Sequence, residues 1–264
     1  MSISTKNYNP KNISELKSMN KIPNSIYYRG NLELLNRTKI AIVGSRRPIA
    51  YTKKLTFELA LALSKKNVCI ISGAAMGVDA IAHKGAGHSN TIAVMANGLD
   101  IKYPAVNKNL IHDIEKSGLT LSLYEDNVKA RPWSFVVRNE VVVALSDILI
   151  VTQADMNSGT MRSVEFAIKM NKPIYVLCHR MGDSEGSNSL LQSGLAKAIL
   201  NVNDFINEVL SNNDSMPNVE NDSILEYFKH NPSYEEGVKK YSQEIFMYEL
   251  EGKISINSGL ITVL

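Results

Sequence analysis

Three features of the 264-residue sequence predict an α/β fold: a mostly parallel sheet covered by helices on both faces. Short apolar, β-branched runs recur at KIAIV (39–43), VCIIS (68–72), TIAVM (91–95), 119–123, ILIVT (148–152) and PIYVL (173–177). Helix-period segments separate them, at roughly 50–65, 78–86, 107–117, 134–146 and 159–170. The runs are apolar at nearly every position instead of at alternate ones, as strands buried on both faces require. In such sheets ligands bind beyond the carboxyl ends of the strands, so the loops that follow strands are where function is sought.

The first unit, from Lys39 to Asp79, sets the pattern. KIAIV ends at Gly44 and is followed by Ser45, Arg46 and Arg47; VCIIS ends at Gly73, with Gly77 and Asp79 just beyond. Glycine lets the backbone approach an anion, a helix N-terminus offers free N–H groups, and arginine adds a bidentate charge. An ordinary βα turn needs the glycines but not two adjacent arginines, so an anion site is expected here.

Ahead of this core, residues 1–36 carry a short helical pattern around Ile13–Met19 and then Pro23, and read as a cap packed on the main sheet, with the core domain spanning 37–210. After Leu177 the pattern loosens, with helices expected near 188–199 and 202–210. Residues 211–222, SNNDSMPNVEND, are polar and aperiodic and read as a linker. Helices near 223–229, 233–240 and 242–250 and a hairpin turning at Asn257-Ser258-Gly259 make 223–264 a small winged-helix-like domain.

Composition narrows the function. With 44% hydrophobic residues a core is assured, and no run approaches the ~18 apolar residues of a membrane span. The N-terminus has no apolar h-region, and Cys69 and Cys178 lie in apolar runs without metal-ligand spacing. A cytoplasmic protein with buried, reduced thiols, no metal and no cofactor is expected. The last 47 residues hold four Lys/Arg against eight Asp/Glu, net −4, leaving 25 basic and 18 acidic groups, net +7, on the rest. A polyanion would therefore sit on the body and not on the tail.

Four further loops hold candidate chemistry. ANGLDIKYP (96–104) is a glycine turn with Tyr103 and Pro104 at its exit, and serves a plain loop as well as a ligand contact. RPWSFVVRNEVVVALS (131–146) interleaves Arg131 and Arg138 with Trp133 and Phe135, a composition suited to unstacked bases: rings stack on bases while guanidinium groups hold phosphates. Each ring could equally anchor the loop to the core, whereas Arg138 followed by Asn139 is harder to explain as packing. In QADMNSGTMRSVEFA (153–167), Ser158-Gly159-Thr160 precede a helix and can either cap it or bind phosphate; Glu165 reads as a solvent-facing carboxylate or a general base. Lys172 and Gly186-Ser187-Asn188 flank the last strand, with solvated surface the ordinary reading of Lys172. His83, alone on its helix, reads as structural.

Together these loops resemble the DprA/Smf family, the DNA-processing proteins of natural transformation. The resemblance rests on GSRRP (44–48), SGAAMGVDAIAH (72–83), GLDIKYP (98–104), Phe135 with Arg138-Asn139, ALSD (144–147), SGT (158–160) and GSNSLLQSG (186–194), in consistent order from Ile22 to Ala198. It implies an extended Rossmann-like fold that binds single-stranded DNA in a basic pocket, shields incoming strands, helps load the RecA recombinase and forms a homodimer. Carried over, the pocket comprises Gly44, Ser45, Arg46, Gly73, Phe135, Arg138, Asn139, Ser158, Gly159, Thr160 and Lys172, beside Arg47 of the same turn. The chain departs from the family pattern at Glu140, where a second basic residue is usual, and at SLYE (122–125), where SEYP is common. The candidate recognition helix of the tail, Ser242–Leu250, contains Glu244 and Glu249 but no Lys or Arg, so that domain is expected to contact protein and not duplex DNA.

An enzyme is the competing class. SGTMRSVE also resembles the GGxGTxxE signature of lysine-decarboxylase-like nucleotide phosphoribohydrolases, with Arg138 and Glu165 as the Arg/Glu pair. The first glycine of that signature is missing, Asn157-Ser158 standing in its place. A binder without catalytic residues is the favoured expectation.

Overall fold

A computed structural model describes residues 4–213, 227–228, 232–250, 254–257 and 259–263. The chain divides into two compact units, 1–208 and 209–264.

The first unit is built on a nine-stranded sheet. Its strands are β1 (Lys6–Tyr8), β2 (Ile26–Gly30), β3 (Lys39–Val43), β4 (Cys69–Ser72), β5 (Thr91–Met95), β6 (Leu119–Ser122), β7 (Ile148–Val151), β8 (Ile174–Leu177) and β9 (Lys197–Ile199). They lie in the order β1-β2-β6-β5-β4-β3-β7-β8-β9. From β6 to β9 all neighbours are parallel, and β1 and β2 are antiparallel additions at one edge. The chain winds outward from β3 in one direction through β4, β5 and β6, then returns to place β7 on the other side of β3. Between β3 and β7 lies the topological switch point, where neighbouring loops leave in opposite directions and open a crevice.

Both faces are covered. The helices of this unit are α1 (Ala50–Lys65), α2 (Val78–Ala86), α3 (Lys108–Ser117), α4 (Pro132–Leu145), α5 (Gly159–Lys169) and α6 (Glu185–Gln192). Helices α1, α2 and α3 pack against β3 to β6 on one side, and α4 and α5 against β3, β4, β5 and β7 on the other. Every residue of β3, β5 and β7 is buried, which explains why these strands read as continuous apolar runs. Successive side chains alternate faces, so Ala41, Val43 and Ile71 join the cluster with Val141 and Leu145 of α4, while Ala93 and Met95 join that with Ile111 of α3.

Three expectations are corrected. The N-terminal segment is not simply a cap: β2 pairs with β6 and extends the sheet, while the helical pattern around Ile13–Met19 is a short 3-10 turn, Ser14–Ser18. The helix expected over 188–199 stops at Gln192, where Gly194 takes φ +69°, and residues 197–199 continue as edge strand β9. Of the cysteines, Cys69 is buried, its thiol pushed up to about 12 by burial, but Cys178 is only half-buried.

A seventh helix, α7 (Val202–Asn213), packs its first turns through Phe205 on Tyr175, ring centroids 4.9 Å apart. In the second unit, α8 (Tyr234–Leu250) is interrupted at Tyr241 (φ −141°, ψ 53°), near the expected break between two helices. Strands β10 (Ile254–Asn257) and β11 (Leu260–Val263) form an antiparallel hairpin, and Phe228, Ile245, Ile254 and Ile261 make a small core. The expected linker begins as helix, its first three residues, 211–213, completing α7, while its remainder, most of the helix at 223–229 and the turn residue Ser258 lie outside the described residues. No described helix is long and apolar enough to cross a membrane.

Candidate functional site

The loops after β3, β4 and β7 and the first turns of α4 and α5 enclose a crevice of about 650 Å³ at the switch point. It is built from β3 outward. Ser45 N–H donates to the Gln153 carbonyl (2.8 Å), Val78 N–H to the Ser45 carbonyl (3.1 Å), and Ile49 N–H to Gln153 Oε1 (3.0 Å). The Gly44–Arg47 turn is thereby fixed by its neighbours on both sides. Gly77, at φ +78°, is required for this: a side chain there would overlap the Ser45–Arg46 backbone. Arg46 and Arg47 are exposed, and neither has a carboxylate partner among the described residues.

Arg138 comes from α4 and is 5% exposed. Its Nη1 donates to the carbonyls of Gly73 and Val94 (3.1 Å to the latter), and its Nε donates to Asn139 Oδ1 (3.0 Å). Gly73 lets the guanidinium lie directly against the backbone, where a Cβ would displace it. Burial pulls the Arg138 pKa down while Asp79 opposes the shift; burial pushes the Asp79 carboxyl up, and Arg138 and the Ala75 N–H hold it back. Phe135 lies between the two arginines, its centroid 5.9 Å from each guanidinium carbon, with the Tyr103 ring 5.8 Å away. The ring is presented to the crevice between two cations and is not simply packed away.

On the opposite wall α5 begins. Ser158 is its N-cap residue by backbone conformation (φ −97°, ψ 158°), yet its hydroxyl makes no capping bond and is buried without a hydrogen-bond partner. The first N–H groups of a helix have no intrahelical acceptor, so this end presents unpaired donors together with the positive end of the helix dipole. Nothing crowds Gly159, whose carbonyl accepts from Asn139 Nδ2 (3.3 Å). The preceding loop is latched from behind by Ser184 and Ser187, whose hydroxyls both accept from the Ala154 N–H (2.9 and 3.1 Å). That latch, and not ligand contact, is where the structure places the Gly186-Ser187-Asn188 segment.

The lining thus brings together Gly44, Ser45, Arg46, Arg47, Gly73, Phe135, Arg138, Asn139, Ser158, Gly159 and Thr160. Lys172 is not among them: it precedes β8, at the amino edge of the sheet, a strand's length from the carboxyl edge. The sequence reading missed Gln153, Asp155 and Arg162, which also line the crevice. Gln153 carried a signal, since a polar residue directly after a fully apolar strand at the switch point has a loop to hold. With four arginines against Asp79 and Asp155, the lining is net positive. The Arg138–Glu165 pair of the competing enzyme reading does not form. Glu165 is held by Arg162 at 2.8 Å on the exposed side of α5 and does not line the crevice. His83 is structural, buried with Nδ1 2.7 Å from Thr91 Oγ1. Among the described residues no cluster of His, Cys, Asp and Glu could hold a metal ion.

The fold and the crevice define a class: a doubly wound α/β protein with a net-positive crevice at its switch point, carrying an aromatic ring beside two arginines. Comparison with known proteins narrows it. The family model for DNA recombination-mediator protein A matches residues 1–210. The DNA processing protein DprA of Bacillus subtilis is 31% identical over 75% of this chain and 68% of its own length. That of Streptococcus pneumoniae is 33% identical over 74% and 70%. Among solved structures, DNA processing protein A from Helicobacter pylori, described for its single-stranded DNA binding mode, superposes with TM-score 0.77 at 38% identity, covering 80% of this chain and 97% of its own. The Streptococcus pneumoniae protein gives TM-score 0.72 at 31% identity, over 77% and 74%. The chain belongs to the DNA recombination-mediator protein A family, also called DprA/Smf.

Proposed function

We propose that this protein binds single-stranded DNA in the switch-point crevice and acts, without catalysing a reaction, as a mediator that shields strands taken up in natural transformation. The observation that carries this reading is the unsatisfied N-terminus of α5, with its free Ser158 hydroxyl, facing Arg46 and a Phe135 ring set between two guanidinium groups. Phosphate suits the helix end and the arginines; an unstacked base suits the ring. Family membership and the single-strand binding described for the Helicobacter pylori relative support it. Delivery of the strand to the RecA recombinase, assembly as a homodimer and a cytoplasmic location complete the proposal.

The test is fluorescence anisotropy of a labelled oligothymidylate across a salt titration, with wild-type protein and Arg46→Ala. Arg46 is exposed and unpaired, so its loss should leave folding intact. Affinity should fall, and the slope of log K against log salt should become shallower by about 0.7 for each phosphate no longer neutralised. Unchanged affinity and slope in the variant would reject the crevice as the binding site.

A further inference from the structure

The crevice accounts for Phe135 but leaves the other ring of the same segment unused. Trp133 is 54% exposed and lines no part of the crevice. Its place on the chain is nevertheless anchored. Pro132 opens α4, the Ser134 hydroxyl accepts from the Arg131 N–H (2.9 Å), and the indole meets the Tyr124 ring edge-on at 5.8 Å. Two residues apart on a helix means about 200° of rotation, so Phe135 and Trp133 stand on opposite sides of the first turn. Pro132, the residue before Trp133, lines the crevice, so the crevice reaches the end of α4 that carries Trp133.

The charge around Trp133 favours the same occupant. Lys129 and Arg131 are exposed, and neither has a carboxylate partner among the described residues. The neighbouring carboxylates are already engaged. Glu125 accepts from the Tyr27 hydroxyl, Asp126 from Thr5 and the Asp100 N–H while pairing with Arg29, and Glu140 from the Asn20 N–H. An exposed indole on a fixed helix end, flanked by two free cations, has what a stacked base and its phosphates need.

We propose that Trp133, backed by Tyr124, is a second stacking platform outside the crevice, and that a single strand leaving Phe135 crosses the end of α4 to lay another base on it, its phosphates drawn to Arg131 and Lys129. This rests on the single-strand reading given above. The platform would lengthen the site without adding base preference, because every base has a face to stack.

Trp133 is the only tryptophan of the chain, so its fluorescence reports this one position. The experiment titrates the full chain with oligothymidylates from about 4 to about 16 nucleotides, the span of site sizes of compact single-strand binders. Indole emission and the anisotropy of the labelled strand are followed together. The longer strands should quench the emission. Trp133→Leu, which keeps an apolar group on Tyr124 but removes the stacking face, should weaken binding of long strands by about 5- to 150-fold while leaving the shortest unaffected. Trp133→Phe should restore most of the loss, which a merely structural role would not require. Strands that bind by anisotropy with no quenching, and equally well to Trp133→Leu, would overturn the platform and leave the crevice standing. A wild-type protein that binds no strand at all would overturn both.

Discussion

The two ends of β3 use cations in opposite ways. Lys39, at its amino end, is 4% exposed; its Nζ donates to the carbonyls of Leu35 (2.8 Å) and Arg37 (2.9 Å) and pairs with Glu15 at 3.0 Å. Arg46, just past the carboxyl end, has none of these acceptors and faces the crevice. At one edge the protein has folded its own oxygens around the charge; at the other it has left the charge for something else to neutralise. Residue type therefore says little about role, and the number of acceptors gathered around a cation says much. Arg138 stands between the two cases, buried like Lys39 and lining the crevice like Arg46.

Removing these side chains should separate the cases by size of effect. Arg138→Ala strips the Gly73 and Val94 carbonyls of their donor and leaves buried Asp79 without its countercharge, so an unfolding stability loss of about 3–5 kcal/mol is expected, with strand binding lost as well. Chemical denaturation read beside anisotropy checks both; a folded, fully stable variant would show that Arg138 is a ligand group and nothing more. Lys39→Met should cost about 1–3 kcal/mol in the same denaturation assay and leave strand affinity where it was. A matching loss of affinity there would erase the contrast between the two ends.

A further effect is expected from acid. Burial, and then the Arg138 charge, push the His83 pKa down to about 3 from its ordinary 6.5. The unfolded chain therefore takes up this proton first as pH falls. The contribution of neutral His83 is complete above about pH 6.5 and is lost toward pH 3, at up to about 1.4 kcal/mol per pH unit. Thermal unfolding of wild type and His83→Gln at about pH 7 and about pH 4.5 should show the wild type losing more on acidification; parallel losses would mean that His83 is not the group responsible. The smallest effect belongs to Lys172→Ala. With Lys172 at the amino edge, both affinity and salt slope should equal wild type, and a shallower slope would place that edge in contact with the strand after all.

The parts of the fold that could be read from the chain are those buried on both sides. Strands such as Lys39–Val43 and Thr91–Met95 are apolar throughout because nothing else fits between two helical layers. Strands β1 and β9 were not readable because, at the edges, two of three residues in each are exposed and the apolar run disappears. The crevice was legible for a related reason: glycines, serines and arginines directly after apolar strands have no place in a core. Burial of Arg138 was not legible, since an arginine in sequence reads as surface and its acceptors belong to β5 and to the turn after β4, over forty residues away. Lys172 was singled out beside the last strand with solvated surface as its ordinary reading, and it entered the pocket through the resemblance; the structure leaves it half-buried at the amino edge, away from the crevice.

The unsatisfied end of α5 also bears on how such a site can be dissected. Main-chain N–H groups survive every side-chain truncation, so alanine substitutions at Ser158, Gly159 and Thr160 would leave those donors in place and understate what the proposed site owes to them. Proline at Gly159, the first helical position, removes one donor outright where the helix tolerates it, and an ester in place of a single peptide link does so with no change of side chain. The genetic consequence is robustness: drift in these three codons can reshape the rim of the crevice, but, short of a change to proline, the donors themselves persist as long as the helix does.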